Sequence, residues 1–566
     1  MTGCHQPVTR RRHDPGMIRP NTPPVSGVMR PLASRSADLA AAAAGAIAAL
    51  VAIAVAELIA GLVAGAPSIV LAIGDLVIAL QPPGAKDLMV SLFGTNDKLV
   101  LNVSIAIGAL VIAALLGVAA RRKWPIGVIG FLVAGGVALL AALRQPLTSQ
   151  VLAIITVVVA IGVALAVLRT LLEKTAPAWR PVATPTSYSA GYLPGTAVAT
   201  GAADPAGTMP DWDRRSFLIL GGGVAAGAVV AGAVGRTLLE RQPSGPAVGS
   251  VLPPSTGPTA SSLPADASLP VDGITPIVMP NNKFYRIDTA LVVPRVDVKT
   301  WNVKVTGMVD TPVSLTYNQL QAMPLFDQYV TIACVSNEVG GNLVGNALWT
   351  GVKLRDVLKM AGVQAGATQV VGRSVDGFTV GFPTEWAMDP AREPMIALGM
   401  NGAPLPAEHG YPARLIIPGL YGYVSATKWL SEIQLTTWDA FDGYWVPLGW
   451  SKTGPILTQS RIDVPRNNAS VPPGQVTVAG VAWAPDRGVD GVEVQVDDGP
   501  WMPATLSKPL SDATWVQWMV DWNATAGQHT LSVRATDGTG TVQTADQTPP
   551  APDGARGHHT IGVNVG

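Results

Sequence analysis

The sequence predicts three structural parts in order: an N-terminal α-helical transmembrane bundle, an α+β domain and an Ig-like β-sandwich. Three observations carry this reading. Uncharged apolar runs crowd the chain ahead of Glu240. Charged and aromatic residues return beyond Val271, where period-two and helical patterns mix. Beyond Asn467 the chain falls into short alternating runs separated by turn residues. The averages agree. Of 566 residues 48% are hydrophobic and 13% charged, where ordinary soluble domains carry about 25% charged. Lys and Arg total 38 against 38 Asp and Glu, a balance that argues against a nucleic-acid binder. Two cysteines exclude a disulfide scaffold and any multi-thiolate metal centre.

A helix needs roughly 20 apolar residues to cross a bilayer. Residues 39–56, 99–120, 124–143, 145–168 and 216–235 are uncharged runs, bounded by Glu57, Lys98, Arg121, Lys123, Arg144, Arg169, Arg215 and Arg236. They predict five spans. Ser68 to Leu80 is shorter, holds Asp75 and is expected to be a re-entrant or interfacial helix. Lys and Arg set the orientation. If 68–80 does not cross, the clusters Arg10 to Arg35, Arg121 to Lys123 and Arg169 to Arg215 all fall inside, and the C-terminal half lies outside. Glu57 and Asp75 are intramembrane acids. They read either as a proton or quinone site or as groups paired within the bundle.

The expected organisation is a cytoplasmic basic tail over 1–38, transmembrane helices over 39–171, a flexible linker over 172–212 and a final span over 213–236. A disordered linker over 237–270 follows, then the α+β domain over 271–466 and the sandwich over 467–566. Both linkers are rich in Pro, Ser, Thr and Gly. The final span opens on Asp213-Arg214-Arg215-Ser216-Phe217-Leu218. That segment resembles a twin-arginine export signal and also reads as an ordinary basic flank.

In the soluble half, Trp301 to Gly307 reads as a strand and Leu354 to Met360 as a short amphipathic helix. Ala413 to Pro418 reads as a buried strand. The sandwich strands are expected at 476–483, 489–496, 515–522 and 529–535. Cys4 lies in the basic tail and Cys334 outside, so the two cannot pair. From the residues alone, Cys334 is a buried structural thiol, a nucleophile or a metal thiolate. A nucleophile needs a partner base, and outside only His409, His529, His558 and His559 are available. One thiolate suffices for a metal only where a cofactor supplies the other ligands.

Five ordered segments resemble the sulfite oxidase family of molybdopterin enzymes. They are Asn281 to Thr289, Thr331-Ile-Ala-Cys-Val-Ser-Asn, Trp349 to Leu358, Met400 to Gly419 and Lys428-Trp429-Leu430. The resemblance implies a single-pyranopterin molybdenum cofactor, with Cys334 as the protein ligand to the metal. A soft thiolate beside the pterin's own sulfurs is coherent chemistry. Cofactor contacts are implied for Asn282, Tyr285, Arg286, Asp288, Ser374, Asp376, His409, Arg414 and Lys428. Asp288 stands where sulfite oxidases usually carry His. His409 and Arg414 also read as loop-capping or ion-pairing groups, and Asp376-Gly377 as a plain turn.

The departures bear on substrate. Asn337, Glu338 and Val339 stand where sulfite oxidases place arginines that bind the oxyanion, so a poor sulfite oxidase is expected. The family's active-site Tyr aligns with Phe441, with Tyr444 nearby. The resemblance implies two-electron oxygen-atom transfer on a small molecule, and a homodimer through the terminal domain. No His lies in the spans. A separate cytochrome or quinone-linked electron partner is therefore expected. The competing reading is a membrane-anchored sensor or interaction protein that keeps the fold without the chemistry.

Overall fold

The structure is a computed structural model that describes residues 32–81, 92–93, 97–145, 148–175, 211–241, 251–255 and 263–566. The basic tail ahead of Leu32, Cys4 and most of both expected linkers lie outside the described residues.

Among the described residues, the N-terminal part holds the helices α1 (Leu32–Leu62), α2 (Ile69–Leu80), α3 (Asp97–Arg122), α4 (Trp124–Leu143), α5 (Gln150–Thr175) and α6 (Asp211–Arg241). Five of them contain stretches long and apolar enough to cross a membrane, at Ala37–Leu62, Lys98–Arg122, Trp124–Leu143, Gln150–Lys174 and Arg215–Glu240. α2 has 12 residues. At 1.5 Å per residue it spans roughly 18 Å, well short of a bilayer core. Glycines let the helix backbones approach closely. A Cβ on Gly45 would overlap the Ala113 carbonyl, and one on Gly117 the Ala41 carbonyl. Gly61 and Gly235 meet in the same way between α1 and α6. Glu57 is buried and accepts from Ser68 Oγ at 2.6 Å, which ties α1 to the start of α2. Asp75 accepts from Gln145 Nε2 at 2.9 Å.

Asp38 pairs with Arg121 and Arg122 at one end of the bundle. At the other end Ser149 N donates to Gly65 O at 3.0 Å, and Lys98 reaches the soluble half.

The soluble half holds two sheets on one core. The first runs β2 (Val313–Thr316), β1 (Asn302–Gly307), β10 (Leu430–Thr436), β5 (Gln369–Ser374) and β6 (Thr379–Pro383), with β1 and β10 parallel. The second runs β3 (Phe326–Ala333), β4 (Val344–Lys353), β7 (Met395–Met400) and β8 (Ala403–Pro404), with β9 (Arg414–Ile416) paired to β7. Trp349, Trp429 and Trp515 are among its largest fully buried side chains. The helix Leu354–Ala361 buries Leu354, Val357, Leu358 and Ala361 at the 3.6-residue period and stops at Gly362, whose φ is 71°.

The terminal sandwich pairs a four-stranded sheet, β11 (Gln459–Val464), β13 (Gly474–Trp483), β17 (Val516–Ala524) and β16 (Thr505–Leu506), with a five-stranded one. The second sheet runs β12 (Ala469–Val471), β19 (His559–Val565), β18 (Gly527–Asp537), β14 (Val489–Val496) and β15 (Trp501–Pro503). Two expectations need correction. The sandwich begins ahead of Asn467, because β11 pairs with β13. Gln459 to Ile462 are all buried, so the strand lacks the alternation that marks the others. The segment expected as a disordered linker is packed in part. Leu252 is buried against Gly399, Ser255 Oγ donates to Asp327 Oδ2 at 2.7 Å and Ala267 is fully buried. Its composition supplies few apolar residues, but an extended chain can bury single ones.

Candidate functional site

Strand ends from both sheets converge on one cavity of about 460 Å³, within the range of small-molecule sites. Cys334 is the first residue beyond β3 and is buried. Its N–H donates to Leu343 O at 2.9 Å, and Asn337 Oδ1 accepts from Leu343 N at 2.7 Å, which closes the 334–343 loop. β9 contributes Arg414, the chain ahead of β10 contributes Lys428 and Trp429, and the end of β5 contributes Ser374. The turn beyond Ser374 contributes Asp376. Its N–H donates to Ser374 Oγ and its Oδ1 accepts from Phe378 N, with Gly377 at φ 91°. Asp376 is thus both the turn residue and a wall of the cavity.

Of the residues implied from the sequence, Cys334, Tyr285, Asp288, Ser374, Asp376, Arg414 and Lys428 line this cavity together. Arg286 and His409 stand just behind it. Arg286 Nε donates to Asp288 Oδ2 at 2.9 Å. His409 Nε2 meets Asn281 O at 2.9 Å, and its ring lies 5.6 Å from that of Phe284. Asn282 is exposed and does not line the cavity. Its neighbour Asn281 turns inward instead and bonds Asn401 and Met400. Phe441 also lies elsewhere, under the Arg373 guanidinium at 4.9 Å. The tyrosines on the cavity wall are Tyr285 and Tyr423.

Sequence reasoning missed the aromatic wall of Phe378, Tyr423, Trp445 and Trp450, and the segment Pro549 to Ala551 contributed by the sandwich. The density of Trp beyond Trp429 was the available signal for the first. The second had none.

The cavity wall carries buried polar groups with few protein partners. Arg414 is 3% exposed. Its Nη1 donates to His409 O at 3.1 Å, its plane rests 4.9 Å from the Trp349 ring, and its Nε has no protein partner. Burial pulls its pKa down to about 10. His409 Nδ1 and Asp376 Oδ2 are likewise buried without partners. Burial lowers His409 to about 4, partly offset by the Asn281 contact, so its ring is neutral at pH 7. Burial raises Asp376 and keeps Tyr285 protonated. Lys428 is pulled down to about 8 by burial, with Asp288 acting against it. Burial alone would raise Asp288, but Lys428, Lys98 and Arg286 together hold it well below the usual carboxylate range. Buried polar groups this poorly satisfied are uncommon and call for a partner. A cationic fork, a lysine and a carboxyl facing one cavity fit the phosphate and polar edge of a pterin. A buried thiol at its wall fits a metal-ligating position.

Two family models match parts of the soluble half. Residues 290–445 match the oxidoreductase molybdopterin binding domain. Residues 459–533 match the bacterial Ig domain. The mitochondrial sulfite oxidase of Homo sapiens is 30% identical over 318 residues, covering 48% of this chain and 58% of that protein. The chain is similar to the sulfite oxidase family of molybdopterin proteins. The nitrate reductase [NADH] of Hordeum vulgare is 30% identical over 315 residues, covering 44% of this chain and 34% of that protein. Among solved structures, the sulfane dehydrogenase SoxCD from Paracoccus pantotrophus aligns with a TM-score of 0.45 at 21% identity, covering 51% of this chain and 81% of that one. The chain thus spans little more than half the length of the human sulfite oxidase it matches, and its helical bundle lies outside the matched domains.

Proposed function

We propose that this chain is a membrane-anchored, molybdenum-cofactor-dependent oxidoreductase whose soluble half faces the extracytoplasmic side. The observation that carries the reading is one cavity that joins the Cys334 thiol to Arg414, whose buried Nε–H has no protein partner. A bound molybdenum–pyranopterin group would supply two-electron oxygen-atom transfer on a small substrate. The chain's own residues hold and tune it. Cys334 offers the metal a thiolate. Arg414 and Lys428 take the phosphate, and Tyr285 and Asp376 present protons to polar edges. Trp445, Trp450 and Pro549 to Ala551 exclude water from the wall. Electrons pass to a separate cytochrome or quinone-linked partner.

Five helices long and apolar enough to cross a membrane support the anchoring. The helix ends support this orientation: Arg121 and Arg122 lie opposite the end where Lys98 meets the soluble half. Asp213-Arg214-Arg215 at the start of α6 suits export by the twin-arginine route.

The relatives' names point to sulfite and nitrate, both small oxyanions. Here the cations on the cavity wall, Arg414 and Lys428, are buried. Glu338 on the same wall is exposed, as are Ser336 and Pro549. A carboxylate on the approach repels anionic sulfite, so a neutral oxygen donor or acceptor fits better. The test is turnover of sulfite, sulfoxides and amine N-oxides by purified full-length protein with redox dyes. Sulfite turnover near or above about 10 per second, an ordinary enzyme rate, would overturn the substrate reading.

A further inference from the structure

The cavity wall and the helical bundle are joined by one short segment. Phe284, Tyr285, Ile287, Asp288 and Thr289 line the cavity. Two residues further on, Leu291 and Val292 pack against Ala60, Leu71 and Leu239, from α1, α2 and α6. Leu291 Cδ1 lies so close to Gly74 of α2 that a Cβ there would stand 2.7 Å away. Lys98, in the first turn of α3, fixes the middle of the segment. Its ammonium donates to Asp288 Oδ1 at 3.1 Å, Asp288 O at 3.3 Å and Ala290 O at 2.6 Å. An ammonium has three protons, and these three acceptors match them. The other carboxylate oxygen of Asp288 accepts from Lys428 Nζ at 3.1 Å and Arg286 Nε at 2.9 Å. Lys428 is anchored in turn on Glu408 O at 3.0 Å.

We propose that the helical bundle is a structural part of the cofactor cradle, with Lys98 as the positioning residue that acts on Lys428 through Asp288. The Asp288 side chain is only 5% exposed. Without Lys98 its Oδ1 is a buried, unpaired carboxylate oxygen, and it must turn toward water or take over Lys428. Either movement shifts the ammonium that faces the cavity and frees the segment from the bundle. The docking claim stands on contacts alone. Its effect on the cofactor rests on the reading given above.

The test uses full-length protein in detergent and two readouts. Oxidative cross-linking of a Gly74→Cys/Leu291→Cys pair, in a Cys4→Ser background, reports docking without reference to cofactor. Molybdenum and pterin retained after gel filtration report the cradle. Lys98→Met is expected to lower both by about tenfold, the scale of one lost charged hydrogen bond at a buried site. Lys98→Arg, which keeps the cation, is expected to recover most of each. Unchanged cross-linking in Lys98→Met overturns the docking claim. Reduced cross-linking with full cofactor retention, or no recovery by Lys98→Arg, overturns the positioning role. If the parent protein itself carries no pterin, the cofactor reading falls, and the positioning role falls with it. The cross-linking arm alone then decides the docking.

Discussion

Arg414→Met separates what the buried guanidinium costs the empty protein from what it gives the loaded one. Arg414 is 3% exposed, has one hydrogen bond through Nη1 and leaves Nε unsatisfied. A buried unmade hydrogen bond costs about 1–3 kcal/mol, and an unpaired buried charge several kcal/mol more. Methionine keeps the apolar stem against Trp349 and removes both penalties. The bond to His409 O and the cation–π contact are lost, at roughly 1 kcal/mol each. The cofactor-free variant is therefore expected to be at least as stable as its parent, by up to about 3 kcal/mol. At about 2–4 °C per kcal/mol for a domain of this size, that is a rise of several degrees. Holding an anion reverses the sign. Losing one or two charge-assisted hydrogen bonds at about 1.5–3 kcal/mol each weakens retention on the order of 10²-fold. The assay pairs thermal unfolding of protein from cells unable to make the cofactor with molybdenum content from cells that make it. A strongly destabilised cofactor-free variant that still retains full molybdenum would refute the reasoning.

Three further outcomes follow from the same contacts. His409 has a folded pKa of about 4, below its unfolded value, so the unfolded chain binds more protons between about pH 4 and 6.5 and stability falls as pH drops through that window. The loss from pH 7 to 5 is about 2 kcal/mol. His409→Gln should flatten that part of the profile measured by denaturant unfolding, and an identical slope would remove His409 from the explanation. Gly117→Val would drive a side chain into the Ala41 carbonyl of α1; thermal scans in detergent should show a large drop in bundle stability, and a change under about 1 kcal/mol would mean the helices do not cross there. Glu338→Arg replaces a negative wall with a positive one, so sulfite kcat/KM should rise by about tenfold or more, and no gain would show that Glu338 does not face the substrate.

Residue chemistry made much of this architecture readable. The long apolar helices announce themselves because runs of this length without charge are rare, and the observed helices run close to those runs. α2 was legible as a short helix because its apolar run is brief and interrupted by Asp75. The cavity lining by Cys334, Arg414 and Lys428 was legible because their segments keep a recognisable order, even though they come from different strands. What failed did so for local reasons. Asn281 and Asn282 are adjacent amides in a turn, and spacing alone does not tell which one faces in. Leu252 and Ala267 are single apolar residues in a stretch without period, so their burial leaves no pattern. Pro549 to Ala551 reach the cavity from the sandwich, a tertiary contact with no sequence signal. Lys98 reads as the charged end of a span, and only the fold reveals that it grips Asp288.

The central claim is that Cys334 and its neighbours hold a molybdenum–pterin group. It is tested most directly by measuring molybdenum and pterin per chain in full-length protein purified from cells that make the cofactor, beside Cys334→Ser. The account expects about one molybdenum per chain in the parent, a single thiolate ligand being available, and little or none in the variant while both remain folded. A well-folded parent chain without molybdenum would contradict it.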